Sequence, residues 1–311
     1  MPTPPRLILA RDHDRNTLRR GMATGALARV RRGAYKTTTT PSVSHATSED
    51  ALARIHAVHA QLRAAHAFSH ASAALLWDLR LWQVPDVTHV RQRSRASGER
   101  AADIVRHFGL PETSVEIDGI PVTSLLQTVF ECLLTMHPLA GLVVADSALE
   151  GGFRSADALE LLRANGRRNG SARAALLLEL ADGGAESAWE TWLRYVALRL
   201  GLPRPCTQFP VSTHLGVFRV DLAWPEQRVL AEFDGQVKYV DGAFGPGYDG
   251  RRALLDEKRR EDAIVETLGV RPLRVVAADA RDVDRLSSRL LARFPGPVRT
   301  ARRPLRLLTL P

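Results

Sequence analysis

The spacing of apolar residues between positions 186 and 280 constrains the fold of this chain more than any other feature of its sequence. Residues 186–200 carry one apolar stripe at helical spacing, and Gly201-Leu202-Pro203 ends that helix. The next segments are strands near 207–212, 216–224 and 228–234, a glycine-rich loop at 241–250, a helix near 252–268 and a strand at 271–277. The order α-β-β-β-α-β predicts an α/β (α+β) fold in which helices cover a sheet.

Acidic residues interrupt the apolar alternation of the second and third strands. Asp221 lies in the second strand, and Glu232 and Asp234 lie in the third, each on the face opposite the apolar one. If residues 225–228 form the hairpin loop, Asp221 stands directly across from Glu232, with Cβ atoms about 5 Å apart. Two carboxylates that close raise a pKa unless a cation lies between them. An oxygen-seeking ion such as Mg²⁺ would relieve the repulsion.

Three further side chains extend this acidic group. Glu186 falls within the apolar stripe of the first helix and Glu190 at its border, so both point toward whatever the helix packs on. Lys238 follows the third strand, where an ammonium group would stabilise charge on a phosphate. The set predicts a metal site for phosphodiester hydrolysis, with these residues: Glu190, Asp221, Glu232, Asp234 and Lys238. The alternative is an ordinary solvated face of the sheet with Lys238 as its counter-ion.

Positive charge is concentrated at the two ends of the 311-residue chain. The sequence has 43 Lys+Arg and 34 Asp+Glu, which gives a net charge of +9. Residues 1–40 contribute +7 and residues 281–311 contribute +6, so residues 41–280 carry −4. Basic ends on an acidic body favour a polyanionic partner, most simply DNA. The alternative is an arginine-rich composition with solvated ends.

Residues 6–35 have the outline of a small DNA-binding module. A first helix is expected before the break at Gly21, and Thr24 is a suitable N-cap for a second helix that carries Leu27 and Val30. Residues 31–36 then predict a turn into a short strand, which completes a winged helix-turn-helix. The residues of this module expected to contact DNA are Arg19, Arg20, Arg29, Arg31, Arg32, Tyr35 and Lys36.

The whole chain is expected to form five segments. These are a winged helix-turn-helix at 1–40, a mixed α/β domain at 46–152, a helical connector at 153–185, the αβββαβ domain at 186–280 and an arginine-rich tail at 281–311. The sequence has no run of about 18 apolar residues, which would predict a transmembrane helix, and its first residues lack a signal-peptide core. Cys132 and Cys206 are too far apart in sequence to suggest a disulfide framework. A cytoplasmic, nucleoid-associated protein is expected.

Two weaker patterns are assigned to structure rather than to function. His56, His59, His66 and His70 would share a face of one helix, but no Cys or acidic residue completes a zinc set, so surface positions are expected. Asp118-Gly119 is expected to form a hairpin turn.

Several motifs of the C-terminal segment form a familiar set. They are Glu186-Ser187-Ala188-Trp189-Glu190, Val220-Asp221-Leu222-Ala223-Trp224-Pro225, Glu232-Phe233-Asp234-Gly235-Gln236-Val237-Lys238-Tyr239, Glu257-Lys258-Arg259-Arg260-Glu261-Asp262 and Leu273-Arg274-Val275. With them, residues 186–280 resemble the very-short-patch-repair-like (Vsr-like) branch of the PD-(D/E)XK endonuclease superfamily, whose core has the same element order. The resemblance implies that Asp221 and Glu232 bind Mg²⁺ or Mn²⁺ and that Glu190, better placed than Glu186, assists.

The sequence departs from that superfamily at the lysine. The expected Glu-x-Lys reads Glu232-Phe233-Asp234 here. Lys238 is the nearest substitute, and Lys258 on the following helix is the other. The departure bears on catalytic competence more than on the fold.

The N-terminal two thirds resemble a second family, the AbiEi-like antitoxin regulators of type IV toxin–antitoxin systems. The matching segments are Gly21 through Tyr35, Ser69-His70-Ala71-Ser72-Ala73-Ala74 and Asp118-Gly119-Ile120-Pro121-Val122-Thr123-Ser124. This resemblance implies a winged helix-turn-helix that binds DNA, followed by a domain whose role the resemblance leaves open. A cognate toxin is then a candidate partner. Helix-turn-helix regulators often bind two half-sites as dimers, so a homodimer is one option for the oligomeric state, which the sequence leaves open.

Three hypotheses follow from these patterns. The first is a Mg²⁺-dependent DNA endonuclease or nickase that the basic N-terminal module directs to DNA. The second is an AbiEi-like antitoxin and transcriptional regulator whose nuclease-like domain is catalytically degenerate. The third makes the C-terminal domain a protein-interaction scaffold.

Overall fold

The computed structural model describes residues 7–38, 48–93, 101–110, 114–166, 168–235 and 250–310. Helices and sheets are mixed along the chain, in agreement with the expected α/β class. The chain forms two compact units, one from residues 1–136 and 151–180 and the other from residues 137–150 and 181–311. Among the described residues, no helix has both the length and the apolar character that crossing a bilayer requires.

The first unit begins with a small module of one helix and three strands. Its elements are β1 (Leu7–Leu9), a 3-10 turn (Ala10–Asp12), α1 (Arg15–Ala23), β2 (Leu27–Arg31) and β3 (Ala34–Thr37). The strand order is β1-β3-β2. The carboxylate of Asp14 caps α1 by accepting hydrogen bonds from the backbone N–H groups of Asn16 and Thr17.

The second helix expected from Thr24 is absent from residues 7–38. Thr24 ends α1 instead: its backbone N–H donates to the carbonyl oxygen of Arg20, and its hydroxyl donates to the carbonyl oxygens of Arg20 and Gly21. Gly25, with φ of +73°, then turns the chain into strand β2. The turn into a strand expected at residues 31–36 agrees with the β2–β3 hairpin, in which Gly33 has φ of +77°.

A five-stranded sheet with helices forms the rest of the first unit. The strands are β4 (His66–Phe68), β5 (Thr88–Gln92), β6 (Ile104–Phe108), β7 (Ser114–Ile117) and β8 (Ile120–Thr123), in the order β6-β5-β4-β8-β7. The helices are α2 (Ser48–Gln61), α3 (His70–Leu76), α4 (Leu125–Thr135), α6 (Ser155–Ala164) and α7 (Ser171–Leu180). Asp118 and Gly119 join β7 to β8 with φ of +51° and +75°, in agreement with the expected hairpin turn.

The second unit contains the predicted α-β-β-β-α-β order. Its elements are α8 (Ala188–Arg199), β9 (Cys206–Thr213), β10 (Gly216–Trp224), β11 (Val229–Phe233), α9 (Gly250–Leu268) and β12 (Leu273–Val275). The sheet order is β12-β11-β10-β9, and β11 and β12 run parallel because α9 lies between them in the chain. The β10–β11 hairpin pairs Leu222 with Ala231 and Trp224 with Val229, which is the predicted register.

The boundaries of the units differ from the expected segments. Helix α5 (Pro138–Glu150) belongs to the second unit, although we expected it to end the middle domain. The reason is a fully buried ion pair, in which Arg194 Nη2 of α8 lies 2.5 Å from Asp146 Oδ2 of α5. Thr191 Oγ1 and the backbone N–H of Asp182 also donate to this carboxylate, each at 2.8 Å. Residues 155–180, expected as a connector, belong to the first unit.

Residues 281–310 are an integral part of the second unit rather than a tail. They form α10 (Val283–Leu291) and α11 (Gly296–Ala301), and Leu286 and Leu290 are fully buried. The chain beyond α11 returns to α8, where the N–H of Leu305 donates to the carbonyl oxygen of Arg199. A Cβ at Gly201 would lie 2.3 Å from the carbonyl oxygen of Arg303, so the approach requires glycine there.

Candidate active site

The acidic residues predicted on the hairpin line one cavity of the second unit. The cavity has a volume of about 360 Å³ and is lined by Glu186, Gln208, Arg219, Asp221, Glu232, Phe233, Asp234, Glu257, Arg260 and Arg274. We call it the acidic cavity. Among the residues that the structure describes, its lining has five carboxylates and three guanidinium groups, a formal excess of two negative charges.

Asp221 stands where the β10–β11 ladder ends. The last pair of the ladder is Leu222 with Ala231, and the side-chain Oδ2 of Asp221 then accepts the backbone N–H of Phe233 at 2.7 Å. The carboxylate therefore takes the place of a backbone carbonyl and is held at a fixed position on the sheet.

Glu232 is more deeply buried than the sequence predicts. The alternative interpretation of the sequence was a solvated face of the sheet, but β11 lies between β10 and β12, and Glu232 is only 6% exposed. Burial raises the pKa of Glu232, and the charge and hydrogen bond of Arg260 oppose that rise. The repulsion expected from Asp221 is therefore not the main influence on this group.

Two arginines supply positive charge beside these carboxylates. Arg260 Nη2 lies 2.8 Å from Glu232 Oε1 and 2.8 Å from Glu257 Oε1, which joins strand β11 to helix α9. Arg274 on β12 binds Asp234 at 3.0 Å and Glu257 at 2.7 Å. Burial would raise the pKa of Glu257, but these two guanidinium groups outweigh it and lower that pKa.

Sequence reasoning missed both arginines. Arg260 is three residues after Glu257 on α9, a spacing that places both side chains on one helix face and is visible in the sequence. Arg274 is the register partner of Glu232 in the parallel β11–β12 pair, and only the sheet topology reveals that neighbour.

The two glutamates of the first helix have different roles in the structure. Glu190 Oε2 accepts the backbone N–H of Glu186 at 2.8 Å and the side-chain amide of Gln208 at 3.0 Å, so it takes part in the cap of α8. Ser187 completes that cap by accepting the N–H of Glu190. Glu186 is exposed and lies 3.7 Å from Arg219 at the rim of the acidic cavity. Glu190 reaches the cavity through Gln208, a lining residue with the left-handed φ of +47°.

Three positions bear on the lysine that the superfamily motif expects, and each has a different place in the structure. Asp234 stands in that position and is bound by Arg274. Lys238 lies outside the described residues. Lys258 is exposed on α9 and is not among the residues that line the acidic cavity.

The donor set of the acidic cavity fits a hard divalent cation. Mg²⁺ is usually bound by one or two carboxylates together with water and substrate oxygens, and Asp221 and Glu232 of adjacent strands supply the two carboxylates. The excess of two negative charges in the cavity lining matches the charge of that ion. Within the described ranges, the group of three metal-ligand side chains with atoms within 4.8 Å of one another is His70, His89 and His107, in the first unit.

The predicted DNA-contacting residues divide into two sets. Arg31 binds Asp103 at 2.7 and 3.1 Å, and Lys36 binds Asp50, so both side chains have partners within the first unit. The hydrogen bond from Arg31 lowers the pKa of Asp103. Tyr35 is half-buried, and the exposed members of the set are Arg19, Arg20, Arg29 and Arg32.

Comparison with known proteins gives distant relatives only. No protein-family model matches the chain. Two proteins from different strains of Mycobacterium tuberculosis, the uncharacterized proteins MT2308 and Rv2248, are each 32% identical to it over 177 residues. The match covers 56% of this chain and 62% of each relative, so the chain matches less than two thirds of the relatives' length.

Proposed function

We propose that the second unit is a Mg²⁺-dependent endonuclease of the PD-(D/E)XK type, Vsr-like, and that it hydrolyses DNA phosphodiester bonds. The observation that carries this proposal is the acidic cavity, in which Asp221 and Glu232 project from paired strands into a space with an excess of two negative charges. Catalysis at a phosphodiester needs oxygen ligands for a hard metal and fixed positive groups for the phosphate, and the cavity lining has both.

The residues of the cavity have distinct roles in this proposal. Asp221, held by the N–H of Phe233, and Glu232, held by Arg260, would bind the metal. When bound, Mg²⁺ polarises the phosphate and activates a water molecule. Arg260 and Arg274 present guanidinium groups, whose planar donors suit phosphate oxygens. Glu190 would assist by orienting Gln208 at the cavity wall.

DNA binding is assigned to the basic N-terminal module. The exposed arginines Arg19, Arg20, Arg29 and Arg32 surround the β2–β3 hairpin and helix α1. Such residues contact phosphates and give an affinity that falls with salt.

A second candidate function is an AbiEi-like regulator with a degenerate nuclease site. Two observations favour it: Asp234 occupies the position where the superfamily has lysine, and the guanidinium of Arg260 already neutralises Glu232. In this alternative the chain binds operator DNA and a cognate toxin, and the acidic cavity has a structural role.

Incubation of supercoiled plasmid with the full chain separates these functions. The nuclease proposal predicts nicked or linear plasmid in Mg²⁺ or Mn²⁺, complete inhibition by EDTA, and a loss of at least about 100-fold for Glu232→Gln, since removal of a metal ligand removes the bound ion. Gel shifts of the same samples report DNA binding. A DNA shift without cleavage by the wild type in either metal would support the regulator instead.

A further inference from the structure

Three histidines of the first unit lie together on one side of its sheet. His89 is on β5 and His107 is on β6, and because His89 pairs with Val105 in the parallel register, His107 lies two residues further along the same face. His70 begins helix α3, which packs against β5. His70 and His89 are 19 positions apart in the sequence, and His89 and His107 are 18 positions apart, so only the fold brings the three residues together.

The ring nitrogens are close enough to share one ion. Each histidine offers one nitrogen, and the three nitrogens lie within 4.8 Å of one another. His89 Nδ1 and His107 Nε2 are 3.0 Å apart. The His70 ring stacks on the His107 ring, with centroids 3.8 Å apart and planes 14° from parallel. A tetrahedral site with Zn–N bonds of about 2.0–2.1 Å therefore requires the His70 ring to turn until its lone pair points at the same ion as those of His89 and His107.

The three imidazoles are at least partly shielded from solvent: His70 is buried, and His89 and His107 are half-buried. A neutral imidazole has one nitrogen with a free lone pair, which a metal ion requires.

Ser69 and Glu131 hold the first of these residues in place. His70 Nδ1 is hydrogen-bonded to Ser69 Oγ at 3.0 Å, and the backbone N–H of His70 donates to Glu131 Oε2 at 3.3 Å. Arg91 donates to Glu131 at 2.6 Å and Gln127 donates to it at 2.7 Å, so the carboxylate is fixed in place. A proton on Nδ1 of His70 leaves the lone pair on Nε2. A hydrogen bond to the other ring nitrogen is the usual outer contact of a metal-binding histidine.

The backbone conformation of His70 also indicates a functional role for this residue. His70 has φ of +53°, a left-handed backbone conformation that residues other than glycine rarely adopt. This residue is only 4% exposed and is the first residue of helix α3. Strained conformations of buried residues occur most often at functional sites, where the surrounding structure holds a side chain in place.

We propose that His70, His89 and His107 bind one Zn²⁺ or a similar first-row divalent ion, with a water molecule as the fourth ligand. Three imidazoles without a carboxylate or thiolate ligand suit such borderline ions rather than Mg²⁺. The site lies in the first unit and is independent of the proposed nuclease, whose residues lie in the second. The surface position expected for His70 from the sequence is wrong, because this residue is buried.

The test uses the tag-free full chain and two metals. Titration with Co²⁺ is expected to give the visible absorption of a four-coordinate ion at one equivalent, and Zn²⁺ is expected to abolish it. His107→Gln should weaken Co²⁺ binding at least 10-fold, as should His89→Gln. The matched control is His66→Gln, because His66 Nε2 lies 3.1 Å from His59 Nδ1 and the described part of the chain gives this histidine pair no third ligand. Co²⁺ binding should therefore not change in this variant. Excess Mg²⁺ should leave the four-coordinate Co²⁺ absorption unchanged, which separates this site from the acidic cavity.

A measurement on the wild type alone covers the case in which the variants do not fold. X-ray absorption of the Zn²⁺-loaded protein should show nitrogen and oxygen neighbours with an imidazole pattern at about 2.0–2.1 Å and no sulfur. Zinc bound equally well by folded His107→Gln, a sulfur ligand in the spectrum, or no binding by the wild type at micromolar zinc would each overturn the proposal.

Discussion

Replacement of Arg260 by methionine tests how the acidic cavity holds its buried carboxylate. Arg260 contributes a 2.8 Å hydrogen bond to Glu232, which is 6% exposed, and two hydrogen bonds to Glu257 at 2.8 and 3.1 Å. Methionine keeps most of the length of the side chain but removes the charge and every donor. The variant therefore leaves Glu232 buried without this partner and raises its pKa further.

The expected loss of stability follows from the strength of one hydrogen bond to a charged group. Such a bond contributes about 1.5–3 kcal/mol to the free energy of unfolding. We therefore expect Arg260→Met to lower the free energy of unfolding by about 1.5–3 kcal/mol at pH 7.5. The matched control is Arg259→Met on the same helix, because Arg259 is exposed and 3.7 Å from Asp256, and surface pairs of this kind contribute about 0–1 kcal/mol.

The pH dependence of this loss has a definite sign. The folded-state pKa of Glu232 is raised above its ordinary value of 4.5, so as the pH falls Glu232 is protonated in the folded protein before it is protonated in the unfolded chain. Protonation of Glu232 removes the ion pair from the wild type as well, so the difference between wild type and Arg260→Met should shrink toward pH 4. The part due to Glu257 persists to lower pH, because the pKa of Glu257 is lowered.

Urea unfolding of the three proteins at pH 7.5 and pH 4 measures these differences. The reasoning is refuted if Arg260→Met costs no more than Arg259→Met at pH 7.5, or if its cost is larger at pH 4 than at pH 7.5. The first result would mean that the Arg260–Glu232 contact does not stabilise the site. The second would mean that Glu232 does not carry the charge that Arg260 neutralises.

Further predictions concern the buried pair of the second unit and the basic module. Arg194→Met should cost about 3–5 kcal/mol in urea unfolding because it leaves Asp146 buried without its ion-pair partner, and Asp146→Leu in the same chain should restore part of that loss; a cost under about 1 kcal/mol would contradict this. Arg29→Ala with Arg32→Ala should weaken DNA binding and reduce the salt slope by about 2, measured by fluorescence anisotropy between 50 and 200 mM salt. Arg154→Ala, an exposed arginine outside the module, is the control, and equal slopes for all three proteins would exclude contacts at the β2–β3 hairpin.

The hairpin that carries the acidic residues could be predicted from sequence because a short loop fixes its register. Residues 225–228 leave one way to pair β10 with β11, and the observed pairing of Ala223 with Leu230 agrees with it. The order of helices and strands within residues 186–280 was equally accessible, since each apolar run there has the period of its own element.

The partners of those acidic residues depended on distant segments. Arg260 is 28 residues from Glu232, and Arg274 is 40 residues from Asp234, so their contacts require the position of α9 and the parallel pairing of β12. The same reason hid His89 and His107, which meet His70 only through strand register. The local sequence predicts helices and strands from the period of their apolar residues, and it predicts turns. Contacts across a sheet depend instead on the order and direction of its strands.

The N-terminal module shows a second limit of pattern reasoning. Leu27 and Val30 have helical spacing, but the segment from Leu27 to Arg31 pairs with β3 as a strand. Thr24 can cap either end of a helix, and here its hydroxyl donates to carbonyl oxygens of α1. In a segment of only five residues, the spacing of apolar residues does not distinguish a helix from a strand. Pairing with a neighbouring strand determines which of the two forms.

Plasmid nicking by the wild type and by Asp221→Asn in Mg²⁺ tests the central claim most directly. Asparagine keeps an oxygen that can accept the N–H of Phe233, so the fold of the hairpin is preserved while the ligand charge is lost. Glu226→Gln, which removes an exposed carboxylate from the 3-10 turn of the same hairpin, is the matched control. The account predicts nicking by the wild type and Glu226→Gln and at least a 100-fold loss for Asp221→Asn. Equal nicking by all three proteins would contradict it.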